Sequence, residues 1–146
     1  MGMKSYIVGK TFEEEILDYY NKMDYFTYKI PTQINGTVFD IIAIKNGQCL
    51  TIECKHVEGD KLNYKSSGIA KKKDELNHFV DTSNTNVYIY VKSDKLGKIY
   101  WTTWKRSGKL LEDRGYLKLE EDCFVANLSN SDIYKNNTSH RHFSVK

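Results

Sequence analysis

The spacing of apolar and polar residues predicts helices in two stretches and strands in the others. Apolar residues recur at helical spacing over residues 11–23, where Thr11 and Glu14 form a capping-box pattern. A second helical pattern covers Ile69–Val80. Runs rich in β-branched and aromatic residues predict strands at Tyr25–Ile30, 38–45, 48–55, Val87–Val91 and Lys98–Trp104. The predicted order is α-β-β-β-α-β-β, a single α/β domain.

Turn signals separate these elements. Asn35-Gly36 marks a loop between the first two predicted strands, and Asn46-Gly47 joins the next two as a tight hairpin. The polar stretch His56–Ser66 predicts a mobile loop, and Ser107-Gly108 predicts a turn. Scattered apolar residues over 109–128 are expected to cap the domain.

Composition sets the boundaries of the domain. Of the 146 residues, 40% are hydrophobic and 28% are charged, which indicates a globular rather than a disordered chain. The last stretch is polar and rich in Asn and Ser. We therefore expect one domain over residues 1–128 and a polar C-terminal tail over residues 129–146.

The chain is expected to be cytoplasmic. No apolar run is long enough to cross a membrane, and the N-terminus lacks the apolar core of a secretory signal. Cys49 and Cys54 lie five residues apart in one predicted strand, so their side chains point to opposite faces and do not readily bridge. Free thiols in a reducing compartment are the simpler interpretation.

The hairpin brings charged side chains together. Counting outward from the Asn46-Gly47 loop, Asp40 meets Glu53, with Cβ atoms about 5 Å apart. Lys55 lies two residues beyond Glu53 and therefore on the same face. Register alone predicts a patch of two carboxylates and one ammonium.

Such a patch favours a bound cation. Two carboxylates about 5 Å apart repel by about 3 kcal/mol at an effective dielectric constant of 20. Mg²⁺ bound by Asp40 and Glu53 would relieve this repulsion and activate water for attack on a phosphodiester, with Lys55 orienting that water. The alternative is an ion-pair network on an exposed sheet face, but the flanking strands are strongly apolar and favour a functional site.

Glu13 is a candidate for a third carboxylate. It shares a helix face with Ile16, Leu17 and Tyr20, whereas Glu14 is explained by capping and Glu15 by solvent. Glu13 is either a further metal ligand or a glutamate at the edge of the apolar helix face that packs on the core.

Two segments together resemble a known family. G-K-T-F-E-E-E and V-F-D-I-I-A-I-K-N-G-Q-C-L-T-I-E-C-K-H are similar to the core of PD-(D/E)XK nucleases, and most similar to archaeal-type Holliday junction resolvases. The stretch K-I-P-T-Q-I also resembles the bacterial RecU resolvases. The resemblance covers roughly residues 9–104, and the hairpin is its specific part.

The resemblance implies a restriction-endonuclease-like core, a mixed central β-sheet flanked by helices. It implies acidic metal residues at Glu13, Asp40 and Glu53, the motif lysine at Lys55, and a further ligand in the backbone carbonyl of Cys54. It also implies Mg²⁺ or Mn²⁺ as cofactor, a homodimer, and four-way DNA junctions as substrate. No small-molecule cofactor is expected.

Two departures from the family pattern stand out. Phe39 replaces the proline of the motif name, which is harmless because only the aspartate binds metal. Relatives often carry a glutamine in the second helix, where this chain has Lys71, Lys72 and Lys73. We predict that these lysines and Lys65 contact DNA phosphates, the alternative being an ordinary charged helix surface.

Three hypotheses follow. The chain is a metal-dependent endonuclease that resolves branched DNA, a sequence-specific endonuclease of restriction or homing type on the same fold, or a DNA-binding module that has lost activity. Cleavage of one defined site in linear duplex would favour the second hypothesis. Loss of cleavage in Lys55→Ala, with binding retained, would exclude the third.

Overall fold

The computed structural model describes residues 11–31 and 39–128. Two features predicted from the sequence, the Asn35-Gly36 turn and the tail over 129–146, lie outside these residues. The described part contains no helix long and apolar enough to span a bilayer.

The described chain contains four α-helices, one 3₁₀-helix and eight strands. The helices are α1 Phe12–Lys22, a 3₁₀-helix Ile69–Lys72, α2 Lys73–Ser83, α3 Trp104–Arg114 and α4 Leu119–Asp122. The strands are β1 Phe26–Lys29, β2 Ile41–Lys45, β3 Gln48–Val57, β4 Lys61–Asn63, β5 Val87–Ser93, β6 Lys98–Thr103, β7 Tyr116–Lys118 and β8 Phe124–Ala126.

A mixed six-stranded sheet forms the centre of the fold, in the order β1-β2-β3-β5-β6-β8. Strands β3 and β5 are parallel and the other neighbours are antiparallel. A parallel pair needs a crossover, which the 3₁₀-helix and α2 provide. The prediction of a mixed sheet flanked by helices is confirmed.

The sheet has a hydrophobic core on each face. On one face α1 packs Ile16 and Tyr20 against Ile41, Ile52 and strands β5 and β6. On the other face the 3₁₀-helix, α2, α3 and the small β4–β7 sheet cover alternate residues of β5. Glu53 and Lys55 align in register with Ile89 and Val91, which belong to this second core. Glu53 and Lys55 therefore lie on the face of the sheet that the 3₁₀-helix, α2 and α3 cover.

The capping box predicted for the first helix is confirmed. The Glu14 N–H donates to Thr11 Oγ1 at 3.2 Å, and the Thr11 N–H donates to Glu14 Oε1 at 2.9 Å. These bonds satisfy backbone donors that the first turn of a helix leaves unpaired.

Two loop predictions are wrong. Strand β3 extends to Val57 and β4 follows, so His56–Ser66 is not one continuous loop. Ser107-Gly108 lies inside α3, which Thr103 caps by accepting from the Arg106 N–H at 3.2 Å. A Cβ at Gly108 would lie 2.8 Å from the Trp104 ring, so this glycine permits close packing instead of a turn.

Candidate active site

The hairpin has the predicted register over most of its length. Lys45 pairs with Gln48, and the ladder continues to Ile41 and Ile52. Asp40 and Glu53 do not form the next ladder pair: the ladder ends at Ile41 and Ile52, and Asp40 lies in a bend beside β3. That part of the prediction is wrong.

Asp40 stays bound to β3 through one backbone and one side-chain hydrogen bond. Its N–H donates to the Ile52 carbonyl at 2.7 Å, and its Oδ2 accepts from the Cys54 N–H at 2.8 Å. The pKa of Asp40 is raised to about 6, mainly by burial and next by the charge of Glu53, while the bond from the Cys54 N–H opposes the rise. The two carboxylates therefore act on each other although they are not paired in the ladder.

Glu53 is the most deeply buried charged residue of the site, with 3% of its surface exposed. Its Oε2 lies 3.1 Å from Lys55 Nζ and 2.9 Å from Lys72 Nζ. Its Oε1 is buried and accepts no hydrogen bond within the described residues. A buried carboxylate oxygen without a partner is costly, so it is a natural position for a cation.

Lys55 is held in place by the turn that precedes the 3₁₀-helix. Its Nζ donates to the Ser67 carbonyl at 2.7 Å. Gly68 follows with φ +87°, and a Cβ there would lie 4.0 Å from Lys55 Nζ. Glu53 and the Ser67 carbonyl thus fix the ammonium from two sides.

The donor atoms suit a hard divalent cation. The N–H and C=O of a strand residue point to the same side, so the Cys54 carbonyl faces the edge where Asp40 accepts its N–H. Within 11–31 and 39–128, no three His, Cys, Asp or Glu side chains gather as a metal-binding group. Mg²⁺ is commonly held by one or two carboxylates and several waters, so Asp40 and Glu53 fit it.

A comparison with known families identifies the chain. The model of the archaeal Holliday junction resolvase family (Hjc) matches residues 4–121. The chain belongs to this family. Membership makes it a metal-dependent endodeoxyribonuclease of the PD-(D/E)XK superfamily that acts on Holliday junctions, and it favours the first of the three hypotheses.

One similar solved structure is Hjc from Archaeoglobus fulgidus, a Holliday junction resolvase from an archaeal hyperthermophile. It shares 18% identity with this resolvase, with a TM-score of 0.49, over 65% of this chain and 71% of that one. A search of the curated proteins found no match.

Glu13 of the resolvase lies near the site but is paired elsewhere. Its Oε1 is 3.2 Å from Lys29 Nζ, on the neighbouring strand β1. Its charge still raises the pKa of Asp40, less strongly than burial and Glu53 do. Its role as a metal ligand stays a prediction. Glu15, expected in solvent, instead forms an ion pair with Lys92 at 2.7 Å.

The four lysines predicted to contact DNA have different surroundings. Lys65 and Lys71 are exposed. Lys73 forms an ion pair with Glu112 of α3. Lys72 belongs to the active site through Glu53. Their contacts with DNA stay a prediction.

Sequence reasoning missed two contacts of the site, Lys72 with Glu53 and Lys55 with the Ser67 carbonyl. Both depend on the path of the chain between β3 and β5. The only local signal in the sequence is Gly68, a glycine just before the second predicted helix, which is typical of a turn between β3 and that helix.

An open cleft of about 510 Å³ adjoins the site. Lys55 lines it, together with residues of β4 and of the turn before the 3₁₀-helix. His56 also lines the cleft, and its Nε2 lies 2.8 Å from Asp94 Oδ1.

Proposed function

We propose that this resolvase uses Mg²⁺, with Mn²⁺ as a substitute, to hydrolyse phosphodiester bonds of four-way DNA junctions at Asp40, Glu53 and Lys55. The observation that carries the proposal is the buried Glu53 carboxylate, whose Oε1 has no partner within the described residues. Asp40 beside it has a pKa raised by burial and by Glu53. Metal-free, this pair is destabilising, which is typical of groups selected for binding.

Each residue has a defined part in this site. Asp40, Glu53 and the Cys54 carbonyl hold the cation, and Glu13 contributes a further carboxylate. When bound, the divalent cation neutralises charge on the scissile phosphate and lowers the pKa of water. Lys55 orients the attacking water with an ammonium already fixed by the Ser67 carbonyl.

DNA contacts come from the lysines around the site. Lys65 and Lys71 project into solvent, where they are free to meet phosphates. Lys73 meets the phosphate backbone by exchanging its exposed ion pair with Glu112. Such contacts make affinity fall steeply with salt.

We propose a homodimer because a four-way junction needs two incisions. The support is an apolar patch on β1 and β2, where Phe26 is 66%, Tyr28 51% and Ile44 38% exposed. Phe26 pairs directly with Ile44 across the ladder. Phe26→Asp should give a monomer in sedimentation, whereas Val125→Asp, at a 56% exposed position on β8, should leave a dimer. A dimer unaffected by Phe26→Asp would exclude this surface.

The catalytic assignment is tested by cleavage of a labelled synthetic four-way junction with Mg²⁺. Glu53→Gln should reduce the single-turnover rate by at least about 100-fold, since it removes a charged ligand of the cation. Glu75→Gln, on the exposed face of α2, is the matched control and should cleave normally. Normal cleavage by Glu53→Gln would remove the assignment.

A further inference from the structure

Glu53 Oε2 is shared by two ammonium groups, and only one of them belongs to the nuclease motif. Lys55 Nζ lies 3.1 Å away and Lys72 Nζ lies 2.9 Å away. Lys72 comes from the 3₁₀-helix, which Ile69 anchors in the second core with 2% exposure. The second ammonium therefore reaches the carboxylate from a separate element.

The two lysines differ in how firmly they are held. Lys55 has a second partner in the Ser67 carbonyl at 2.7 Å, and its side chain is 18% exposed. Lys72 has Glu53 as its one hydrogen-bond partner within the described residues, and its side chain is 31% exposed. Lys72 can therefore leave Glu53 for solvent, or give way to a cation, more readily than Lys55 can.

The charge of Lys72 reaches both predicted metal ligands. It pairs directly with Glu53 and also lowers the pKa of Asp40. A positive charge at this position repels a divalent cation bound by the same two carboxylates.

We propose that Lys72 is an internal counter-ion that occupies Glu53 when metal is absent and competes with the divalent cation for this carboxylate. The inference rests on the proposed metal site. Without metal, Lys72 offsets the cost of a buried carboxylate and stabilises the fold. When metal binds, Lys72 withdraws, so the protein's own ammonium lowers the affinity of the site.

The test measures Mn²⁺ binding by calorimetry on the full chain without DNA. Lys72→Met keeps the aliphatic stem and removes the charge, so it should bind Mn²⁺ about tenfold more tightly, as expected for a unit charge about 5 Å from a dication in largely aqueous surroundings. Lys72→Arg keeps the charge and should bind like wild type. Lys71→Met, an exposed neighbour on the same 3₁₀-helix, is the matched control and should bind Mn²⁺ like wild type.

Thermal unfolding in chelator gives a second readout. Lys72→Met should unfold at a lower temperature than wild type without metal, and saturating Mn²⁺ should remove the difference. Equal or weaker Mn²⁺ binding by Lys72→Met would overturn the proposal, as would tighter binding by Lys71→Met to the same degree.

The proposed metal site is tested separately, by comparing Mn²⁺ binding to wild type with Mn²⁺ binding to Glu53→Gln. If both bind Mn²⁺ equally, the proposed site fails and the competition fails with it. If wild type binds Mn²⁺ and Glu53→Gln does not, but Lys72→Met binds no more tightly than wild type, the metal site stands and the proposed competition fails.

Discussion

Asp40→Asn should stabilise the protein when metal is absent. The folded protein holds the Asp40 proton more tightly than the unfolded chain, because burial and the charge of Glu53 raise the pKa from 3.8 to about 6. Above pH 6 the ionised carboxylate therefore destabilises the fold, and below pH 4 this penalty is absent. Asparagine carries no charge and keeps an oxygen that accepts from the Cys54 N–H.

The size of the effect follows from the same pKa. A rise from 3.8 to about 6 corresponds to about 3 kcal/mol for a fully buried group. Asp40 is partly exposed, so solvent screening reduces the gain to about 1–2 kcal/mol. For a domain of this size the unfolding temperature should rise by roughly 3–6 °C.

The assay is thermal unfolding of wild type and Asp40→Asn in chelator, at pH 8 and at pH 4. The variant should be more stable at pH 8, and most of this gap should disappear at pH 4. Saturating Mg²⁺ at pH 8 should reverse the order, because only wild type gains from binding. A variant no more stable than wild type at pH 8, or a gap equal at both pH values, would refute the reasoning.

Three further predictions concern catalysis and packing. At a Mg²⁺ concentration that does not saturate the site, single-turnover junction cleavage by wild type should rise between about pH 5 and pH 7, because a proton on Asp40 competes with the cation; a rate that does not change over this range would contradict the assignment of Asp40. Lys55→Ala should cleave about 10²–10⁴-fold more slowly yet retain junction affinity in gel shifts with Ca²⁺, and lost affinity would indicate a binding role instead. Gly108→Ala should cost about 1–3 kcal/mol in urea unfolding, because its Cβ would meet the Trp104 ring at 2.8 Å; an unchanged midpoint would show that the ring has room to move.

The sequence predicts the hairpin because its determinants are local. Asn46 and Gly47 adopt φ +51° and +78°, as a tight two-residue turn requires. Alternation along β3 then sets Glu53 and Lys55 on one face, and their 3.1 Å contact agrees with that placement. The one pair of the hairpin that is predicted wrongly is Asp40 with Glu53, because the bend at Asp40 has no sequence signal of its own.

The rest of the site depends on contacts between distant segments. Lys72 reaches Glu53 across 19 residues of sequence and Lys55 reaches Ser67 across 12, so no periodicity within one element reveals either contact. The Ser107-Gly108 pair is typical of a turn. Gly108 instead leaves room for the Trp104 ring in the same helix, and the sequence does not reveal where that ring lies. The pairing of Glu13 with Lys29 likewise depends on how α1 lies against β1.

Anomalous diffraction from crystals soaked in Mn²⁺ tests the metal site most directly. The site described above predicts an anomalous peak in contact with both the Asp40 carboxylate and Glu53 Oε1. A peak elsewhere, or no peak at a Mn²⁺ concentration that supports junction cleavage, would contradict it.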